Sequence, residues 1–318
     1  MRKISPKDIA DIIIEAEDAI TPTLRKQDGR ITHDEQGDLT LDIEDKYPDM
    51  LGPFLLARGM PSIIVSEGKV ITDFYQGGEG YILMLDPFEG STNFESGKLP
   101  YGVNLQVFPM KSGDILVNEY LAALVSDRHN GLKYIAIHHE SGEEEVYVIS
   151  RNERRSPKRD RTGPIIEVPM GYTKTRQQLY RQLAYYDAVR EALNDNQLRS
   201  VDATGTRLVD IVDGTTRVYV EGRGLEKLGG PWNILPSATI INADAGDGIA
   251  THLDGRPFDD DVVWNQERFP KGFNPDVARD VLAAHRKEDY DICLKAIKTI
   301  LGKEGQYLAE INRVAFGI

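Results

Sequence analysis

Residues 85–94, LDPFEGSTNF, contain two carboxylates three positions apart, Asp86 and Glu89. Hard divalent cations such as Mg²⁺ take oxygen ligands, so two carboxylates and the carbonyl between them can converge on one or two such ions. Ser91 and Thr92 follow a glycine and can hold a water or offer backbone N–H groups to a phosphate at a helix start. The alternative interpretation is structural, with Asp86 capping a β-turn through its own side chain. The segment therefore indicates either a cation site suited to phosphate chemistry or a capped turn.

Two predicted strands end where carboxylates begin. Residues 61–65 form a short apolar run before Ser66 and Glu67, and residues 81–85 form another that stops at Asp86. Short apolar runs bounded by turn residues are typical of buried strands. We therefore expect both strands to deliver a carboxylate at their C-terminal ends.

The rest of the chain is predicted to divide into an α+β part and a layered α/β part. We predict helices at residues 5–26 and 47–57, and antiparallel strands in a meander at 103–107, 133–137 and 145–149. Beyond them we predict strands at 165–168 and 217–220, helices at 173–198, 206–214 and 232–245, and two surface helices within 275–301. The predicted domains are an N-terminal half (1–160), a C-terminal half (161–302) and a C-terminal extension (303–318).

Composition excludes several classes of function. The 318 residues carry a formal charge of −13, which argues against nucleic acid or anionic membranes as partners. The single cysteine, Cys293, excludes an internal disulfide and a Cys-rich metal cage, and a buried apolar role is expected for it. The sequence has neither a membrane-length apolar run nor a signal-peptide pattern at its start, so a cytoplasmic location is predicted. One basic segment, residues 151–161, is either a solvated loop, a phosphate-attracting rim or a contact for RNA.

Four segments, in order along the chain, resemble motifs of the inositol monophosphatase and fructose-1,6-bisphosphatase superfamily. Residues 85–94 resemble its Asp-Pro-aliphatic-Asp-Gly-Ser/Thr-Thr-Asn-Phe signature, and residues 64–67 resemble its strand that ends in a metal-binding glutamate. Residues 38–46 are similar to the segment that helps to activate the attacking water, and residues 230–238 to the Trp-Asp-aliphatic-Ala-Ala/Gly-Gly motif. Residues 244–246 and 253–258 continue the likeness. The resemblance implies an alternating α-β-α-β-α sandwich of the sugar-phosphatase type.

The resemblance also implies a mechanism, in which Mg²⁺ ions activate water to hydrolyse a small phosphate monoester. Two or three ions would be held by Glu67, Asp86, the Phe88 carbonyl, Glu89 and Asn233. The catalytic residues would be Glu44, Glu67 and Ser91, with Asp42 or Asp45 replacing Glu44 if the register differs. Substrate would contact Gly90, Ser91, Thr92, Asp202, Ala203, Thr204 and Glu221, with Glu226 as an alternative to Glu221. A homodimer is compatible with an exposed antiparallel sheet.

Three positions depart from the family pattern. Glu44 and Glu89 stand where the family has aspartates, and Asn233 stands where an aspartate completes the second metal site. An asparagine can still bind Mg²⁺ through its oxygen, but one negative charge is lost. Two hypotheses follow: an active phosphatase with a modified site, or a relative that binds a sugar phosphate, nucleotide or protein partner without hydrolysing it. In the structural alternative, Glu89 pairs with a lysine such as Lys98 and Asn233 caps its helix.

Overall fold

The computed structural model describes residues 4–24, 31–33, 39–66, 69–75, 77–90, 101–160, 163–169, 176–194, 198–199, 204–222, 231–270, 274, 277 and 280–302. Within these ranges the α-helices are α1 (Pro6–Leu24), α2 (Asp42–Ala57), α3 (Arg176–Leu193), α4 (Thr204–Leu208), α5 (Pro231–Ala243) and α6 (Lys287–Leu301). Two 3₁₀ turns occupy Val117–Glu119 and Val209–Ile211.

The strands form two main sheets and two small ribbons. The first sheet has the order β11-β10-β9-β8-β6-β5-β3-β4, with β3 (Ser62–Ser66), β4 (Lys69–Ile71), β5 (Tyr81–Glu89), β6 (Gly102–Pro109), β8 (Ala122–Asp127), β9 (Leu132–His138), β10 (Glu144–Ser150) and β11 (Glu153–Arg155). The second has the order β13-β12-β14-β17-β15, with β12 (Ile165–Glu167), β13 (Leu198–Arg199), β14 (Thr216–Glu221), β15 (Ile249–Thr251) and β17 (Val281–Ala284). The ribbons are β1 (Ile31–His33) with β2 (Leu39–Leu41), and β7 (Ile115–Leu116) with β16 (Val262–Trp264).

Helices cover both faces of the first sheet because its strands are apolar on both faces. On β5, Leu83 and Leu85 join the core beneath α1 and α2, whereas Ile82 and Met84 join the core beneath α5. Helix α5 contacts strands of both sheets, and α3 and α6 pack on the outer side of the second sheet. The layers therefore run α1/α2, first sheet, α4/α5, second sheet, α3/α6, which confirms the predicted α-β-α-β-α sandwich.

The antiparallel meander is confirmed, but its exposure is not as predicted. Strands β6, β8, β9 and β10 pair antiparallel in sequence. Alternation such as that of residues 103–107 is typical of a strand with one solvated face, yet Asn104 and Gln106 are fully buried. The expectation of a large exposed sheet was wrong for these central strands, because α5 covers the face that the polar residues occupy.

One element was predicted with the wrong type. Residues 281–284 were assigned to a surface helix within 275–301, but they form the buried strand β17 between β14 and β15, and one helix follows it, α6. The sequence Val-Leu-Ala-Ala suits either structure, and pairing on both edges decides for the strand. Helix α3 is also shorter than predicted, since residues 198–199 form β13. The proposed boundary at residue 160 stays a prediction, and 303–318 lies outside the described residues.

Candidate metal centre

A β-bulge brings Asp86 and Glu89 to the same face of the first sheet. Asp86 pairs with Asn104 of β6 and Glu89 pairs with Gly102, so that Pro87 and Phe88 together oppose one residue. In a regular strand two residues three positions apart point to opposite faces, and the extra residue of a bulge cancels this difference. The bulge also accommodates Pro87, which has no N–H for the ladder. The segment is therefore a bulged continuation of β5, not the turn after it that was predicted.

Asp86 and Glu89 form a buried pair of carboxyl groups. They are 7% and 4% exposed and hydrogen-bond to each other. Burial raises the pKa of Asp86, and the opposing effects of Glu89, the Phe88 N–H and the charge of Arg128 do not cancel this increase. Two acidic groups buried in contact must share a proton or be neutralised by a cation. The pair therefore suits a divalent cation, which would take the place of the proton.

Two predicted structural alternatives can be compared with the observed contacts. The Phe88 N–H donates to Asp86 Oδ1 at 3.0 Å, which confirms the Asx-type contact predicted for a capped turn. For Glu89 the observed partners include Asp86 and Asn104, whose Nδ2 lies 3.3 Å from Glu89 Oε2. Lys98 lies outside the described residues. The Asx contact engages one oxygen of Asp86, Oδ1, so the pair can still bind a cation.

Arg128 lies beneath the bulge, on the α1 side of the sheet. Its guanidinium is 5.8 Å from the centroid of the Phe88 ring, and its Nε donates to Glu17 at 3.2 Å. The Phe88 ring also stacks on Tyr101, with centroids 5.6 Å apart. The contacts of the Phe88 ring with Arg128 and Tyr101 restrain Phe88, and with it the bulge that carries both carboxylates. Neither Arg128 nor this packing was predicted from the sequence.

Asn233 occupies the first turn of α5, which begins at Pro231. The predicted capping role is therefore wrong, because the residue lies inside the helix. Its Oδ1 is buried and accepts no hydrogen bond from the residues that the structure describes. One turn further along the helix, Ser237 Oγ donates to the Gly205 carbonyl at 2.7 Å. The orphaned amide oxygen of Asn233 fits a role as a cation ligand.

The remaining predicted site residues are only partly described. Glu67, Ser91, Thr92, Asp202, Ala203 and Glu226 lie outside the described residues. For Glu44, Asp42 and Asp45 the backbone belongs to α2, and their side chains lie outside. Residue 67 directly follows β3, whose last residue, Ser66, pairs in parallel with Leu85 beside Asp86. Within the described ranges, His, Cys, Asp and Glu form no group of three or more able to hold a metal.

Three predicted substrate residues are described. Gly90 follows the bulge with a φ of 89°, a backbone conformation that favours glycine. Thr204 is buried and begins α4, a helix that contacts both β5 of the first sheet and β14 of the second. Glu221 is buried at the end of β14, where Gln182 Nε2 lies 3.4 Å from its Oε1. Helix α4 therefore contacts the strand that carries the bulge and a strand of the second sheet.

The basic segment is engaged with carboxylates of the same chain. Arg155 forms a two-pronged pair with Asp213, and Arg159 forms another with Asp244, its Nη2 2.7 Å from Oδ1. Arg154 pairs with Asp11 on the surface. Arg161 lies outside the described residues. Three cations of the predicted phosphate-attracting rim thus have structural partners.

The other sequence expectations concern the thiol and membranes. Cys293 is fully buried in α6, and burial raises the pKa of its thiol to about 12, which confirms the expected apolar role. No helix in the described part of the chain has the length and apolar content needed to span a bilayer.

Comparison with known proteins gives structural likeness without sequence likeness. Neither protein-family models nor curated protein sequences match the chain. The structure resembles the extragenic suppressor protein suhB from Bartonella henselae, with a TM-score of 0.63 and 13% identity over 92% of this chain and 98% of that one.

Two further solved structures give similar values. For a hypothetical protein from Pyrococcus horikoshii with similarities for inositol-1 monophosphatase, the TM-score is 0.59, with 17% identity over 91% of this chain and 96% of the other. For inositol monophosphatase from Anabaena the TM-score is 0.58, with 14% identity over 92% of this chain and 96% of the other. At such identities the likeness establishes the fold. The chain therefore has the fold of the inositol monophosphatase proteins, as its motifs predict.

Proposed function

We propose that the protein is a magnesium-dependent phosphatase of the inositol monophosphatase superfamily, acting on a small phosphate monoester. The observation that carries the proposal is the buried Asp86–Glu89 pair, which a β-bulge brings to one face in a chain with this fold. Asn233 adds a buried amide oxygen that accepts no hydrogen bond from the described residues. Carboxylate and amide oxygens are the ligands that Mg²⁺ takes in proteins.

The proposed ligands for two or three Mg²⁺ ions are Glu67, Asp86, the Phe88 carbonyl, Glu89 and Asn233. When bound, Mg²⁺ supplies positive charge that polarises the phosphoryl oxygens and lowers the pKa of a bound water. In this proposal Ser91 and Glu44 orient the attacking water, Glu44 accepts its proton, and Glu67 is the third catalytic residue. The water attacks phosphorus in line, and the products are an alcohol and inorganic phosphate.

The same proposal assigns the substrate side. The backbone at Gly90, Ser91 and Thr92 would bind the phosphate, because backbone N–H groups at a turn favour anions. The ester's hydroxyl side would contact Asp202, Ala203, Thr204 and Glu221. Inositol phosphate and fructose 1,6-bisphosphate are the proposed substrate types, with a nucleotide phosphate as a further one. A cytoplasmic location and a homodimer remain predictions.

The test is phosphate release from a panel of small phosphate esters, with Mg²⁺ and with EDTA. We expect turnover by the wild type only with Mg²⁺, and a loss of at least a hundredfold in Asp86→Asn, since the buried pair loses a charge. Magnesium-independent turnover, or unchanged turnover in Asp86→Asn, would contradict the proposal.

A second candidate, binding without hydrolysis, is favoured by one observation. Asn233 provides an oxygen but no charge where the family has an aspartate, which weakens a second cation site. In that case the wild type binds phosphate esters without releasing phosphate, and Asn233→Asp gains turnover. The panel therefore separates the two candidates when it includes this variant.

A further inference from the structure

Asn104 is a buried amide directly beside the carboxylate pair. It lies in the middle of β6, fully buried, between Val103 and Leu105, which face the opposite core. It is paired in register with Asp86, and its Nδ2 lies 3.3 Å from Glu89 Oε2. The amide thus contacts the longer carboxylate of the pair from the neighbouring strand.

The backbone of α4 confines the Asn104 side chain. A β-carbon at Gly205 would lie 2.2 Å from Asn104 Nδ2 and 2.6 Å from its Oδ1, so the amide occupies the space that a side chain at position 205 would need. The Gly205 carbonyl in turn accepts the hydrogen bond from Ser237 of α5. The amide is therefore fixed between Glu89 on one side and a helix anchored to α5 on the other.

The burial of this amide has an energetic cost that packing does not explain. Its Oδ1 is buried and accepts no hydrogen bond within the described part of the chain. An unsatisfied buried acceptor costs about 1–3 kcal/mol. The orientation of the amide is fixed by Glu89, because a carboxylate needs the NH₂ group as a donor. Such a costly polar group next to a candidate site indicates a functional role.

We infer that Asn104 is a positioning residue that holds Glu89 in the geometry needed to bind the cation. This inference rests on the proposed function and adds a residue to it. Glu89 has one more rotatable bond than the aspartate of the family motif, and a donated hydrogen bond removes that freedom. The Oδ1 of Asn104, which accepts no hydrogen bond from the described residues, lies against the backbone of α4 at Gly205. Substrate-side helix α4 is thereby coupled to the cation ligand Glu89.

The experiment measures Mg²⁺ affinity of the full chain by calorimetry, without substrate. We expect Asn104→Ala to weaken Mg²⁺ binding by 10- to 100-fold, as is typical when a residue that orients a metal ligand is removed. Gln106→Ala is the matched control, because Gln106 is equally buried on the same strand face but donates to Thr239 at 3.0 Å. Its Mg²⁺ affinity should stay within twofold of wild type. Urea unfolding in EDTA measures the general loss of stability in both variants.

A second pair of variants tests the contact with Glu89 itself. In Glu89→Asp the carboxylate is one methylene shorter and withdraws from Asn104. Adding Asn104→Ala to Glu89→Asp should then change Mg²⁺ affinity by less than threefold. If Asn104→Ala does not fold, Asn104→Ser replaces it, because a serine hydroxyl is too short to reach Glu89 and the same 10- to 100-fold loss is expected.

The outcomes separate this inference from the proposed function. If wild type and Asn104→Ala bind Mg²⁺ equally, or if Gln106→Ala loses as much affinity, the role of Asn104 is overturned and the phosphatase proposal stands. The role is also overturned if the loss is the same in the Glu89→Asp background. If the wild type binds no Mg²⁺ at millimolar concentration, both proposals fail.

Discussion

At the scale of single residues, Asn233 would decide how much positive charge the proposed site can hold. An amide oxygen keeps the coordination but removes one negative charge from a partly buried site. Such a charge contact is worth on the order of a few kcal/mol, or a factor of about 100 in affinity. A substitution of Asn233 should therefore change the affinity of the proposed site for Mg²⁺.

We predict that Asn233→Asp binds Mg²⁺ at least tenfold more tightly than wild type, because the new carboxylate attracts the ion. Calorimetric titration with Mg²⁺ measures this. The control is Asn194→Asp, an exposed residue with a φ of 49°, which adds the same charge far from any predicted ligand. A similar gain in Asn194→Asp would mean that net charge, not coordination, is responsible.

The residues also show how far sequence patterns reach. Asp86, Glu89 and Asn233 were predicted because they fall within motifs, and motifs record residue type and spacing. Asn104 was missed because a polar residue in an alternating strand normally indicates a solvated face. Asn104 is buried because α4 and α5 pack on that face of the sheet, and these helices are distant from β6 in sequence.

At the scale of elements, His252 connects the ends of three strands. It follows β15, and its ring nitrogens each lie 2.8 Å from a carboxylate, Asp280 before β17 and Asp261 before β16. Arg256 also reaches Asp261 and the His252 ring, and Phe258 packs on that ring at 4.3 Å. Burial lowers the pKa of His252, but the two carboxylates outweigh burial and raise it. The fold therefore favours the protonated form of His252 more than the unfolded chain does.

We predict that the stabilisation by His252 depends on pH. Because its pKa is raised in the fold, the contribution is complete below the unfolded pKa of about 6.5 and is lost as pH rises through the folded value. His252→Leu should cost about 2 kcal/mol at pH 6 and clearly less at pH 9, measured by urea unfolding. His139→Leu, at a more exposed pair with Glu145, should cost little at either pH. A cost of His252→Leu that does not vary with pH would contradict the prediction.

Element types were predictable where the period of the pattern was unambiguous. Helices α1 and α5 and strands β3, β6, β9 and β10 follow apolar patterns, and their predicted positions agree with the structure. Helix α2 ends where predicted but begins at Asp42, five residues before the predicted start. Strand β17 was not predictable, because four apolar residues fit both periods. The bulge in β5 was missed for a related reason, since Pro and Gly around an acidic pair also indicate a turn.

At the scale of the whole molecule, the segment after β11 ties the first sheet to the helices between the sheets. Arg155 and the Lys158 N–H both bond Asp213, which follows the second 3₁₀ turn, and Arg159 bonds Asp244 at the end of α5. Burial alone would raise the pKa of Asp213, but Arg155 and the Lys158 N–H outweigh burial and lower it. This contribution is present above the unfolded pKa and is lost as pH falls through the folded value.

We predict that Arg155→Ala lowers the free energy of unfolding by about 1–3 kcal/mol, because Asp213 is left buried without its cation. The neighbouring variant Arg154→Ala should lower it by less than about 1 kcal/mol, since its pair with Asp11 is exposed. Urea unfolding at pH 7 measures both. If Arg155→Ala also costs less than about 1 kcal/mol, the segment acts as a solvated loop.

The bulge in β5 has a consequence for how the site tolerates changes in chain length. Removing one residue between Asp86 and Glu89 would restore regular pairing and still leave both carboxylates on the α5 side, since alternate residues share a face. If the deleted residue is Phe88, the peptide group that disappears is the one whose carbonyl is proposed as a neutral ligand. A one-residue deletion thus separates the contribution of the carboxylates from that of the backbone carbonyl, which point substitutions do not separate. In the proposed site, the three-residue spacing of the two acids, more than the identity of either, would supply the backbone ligand.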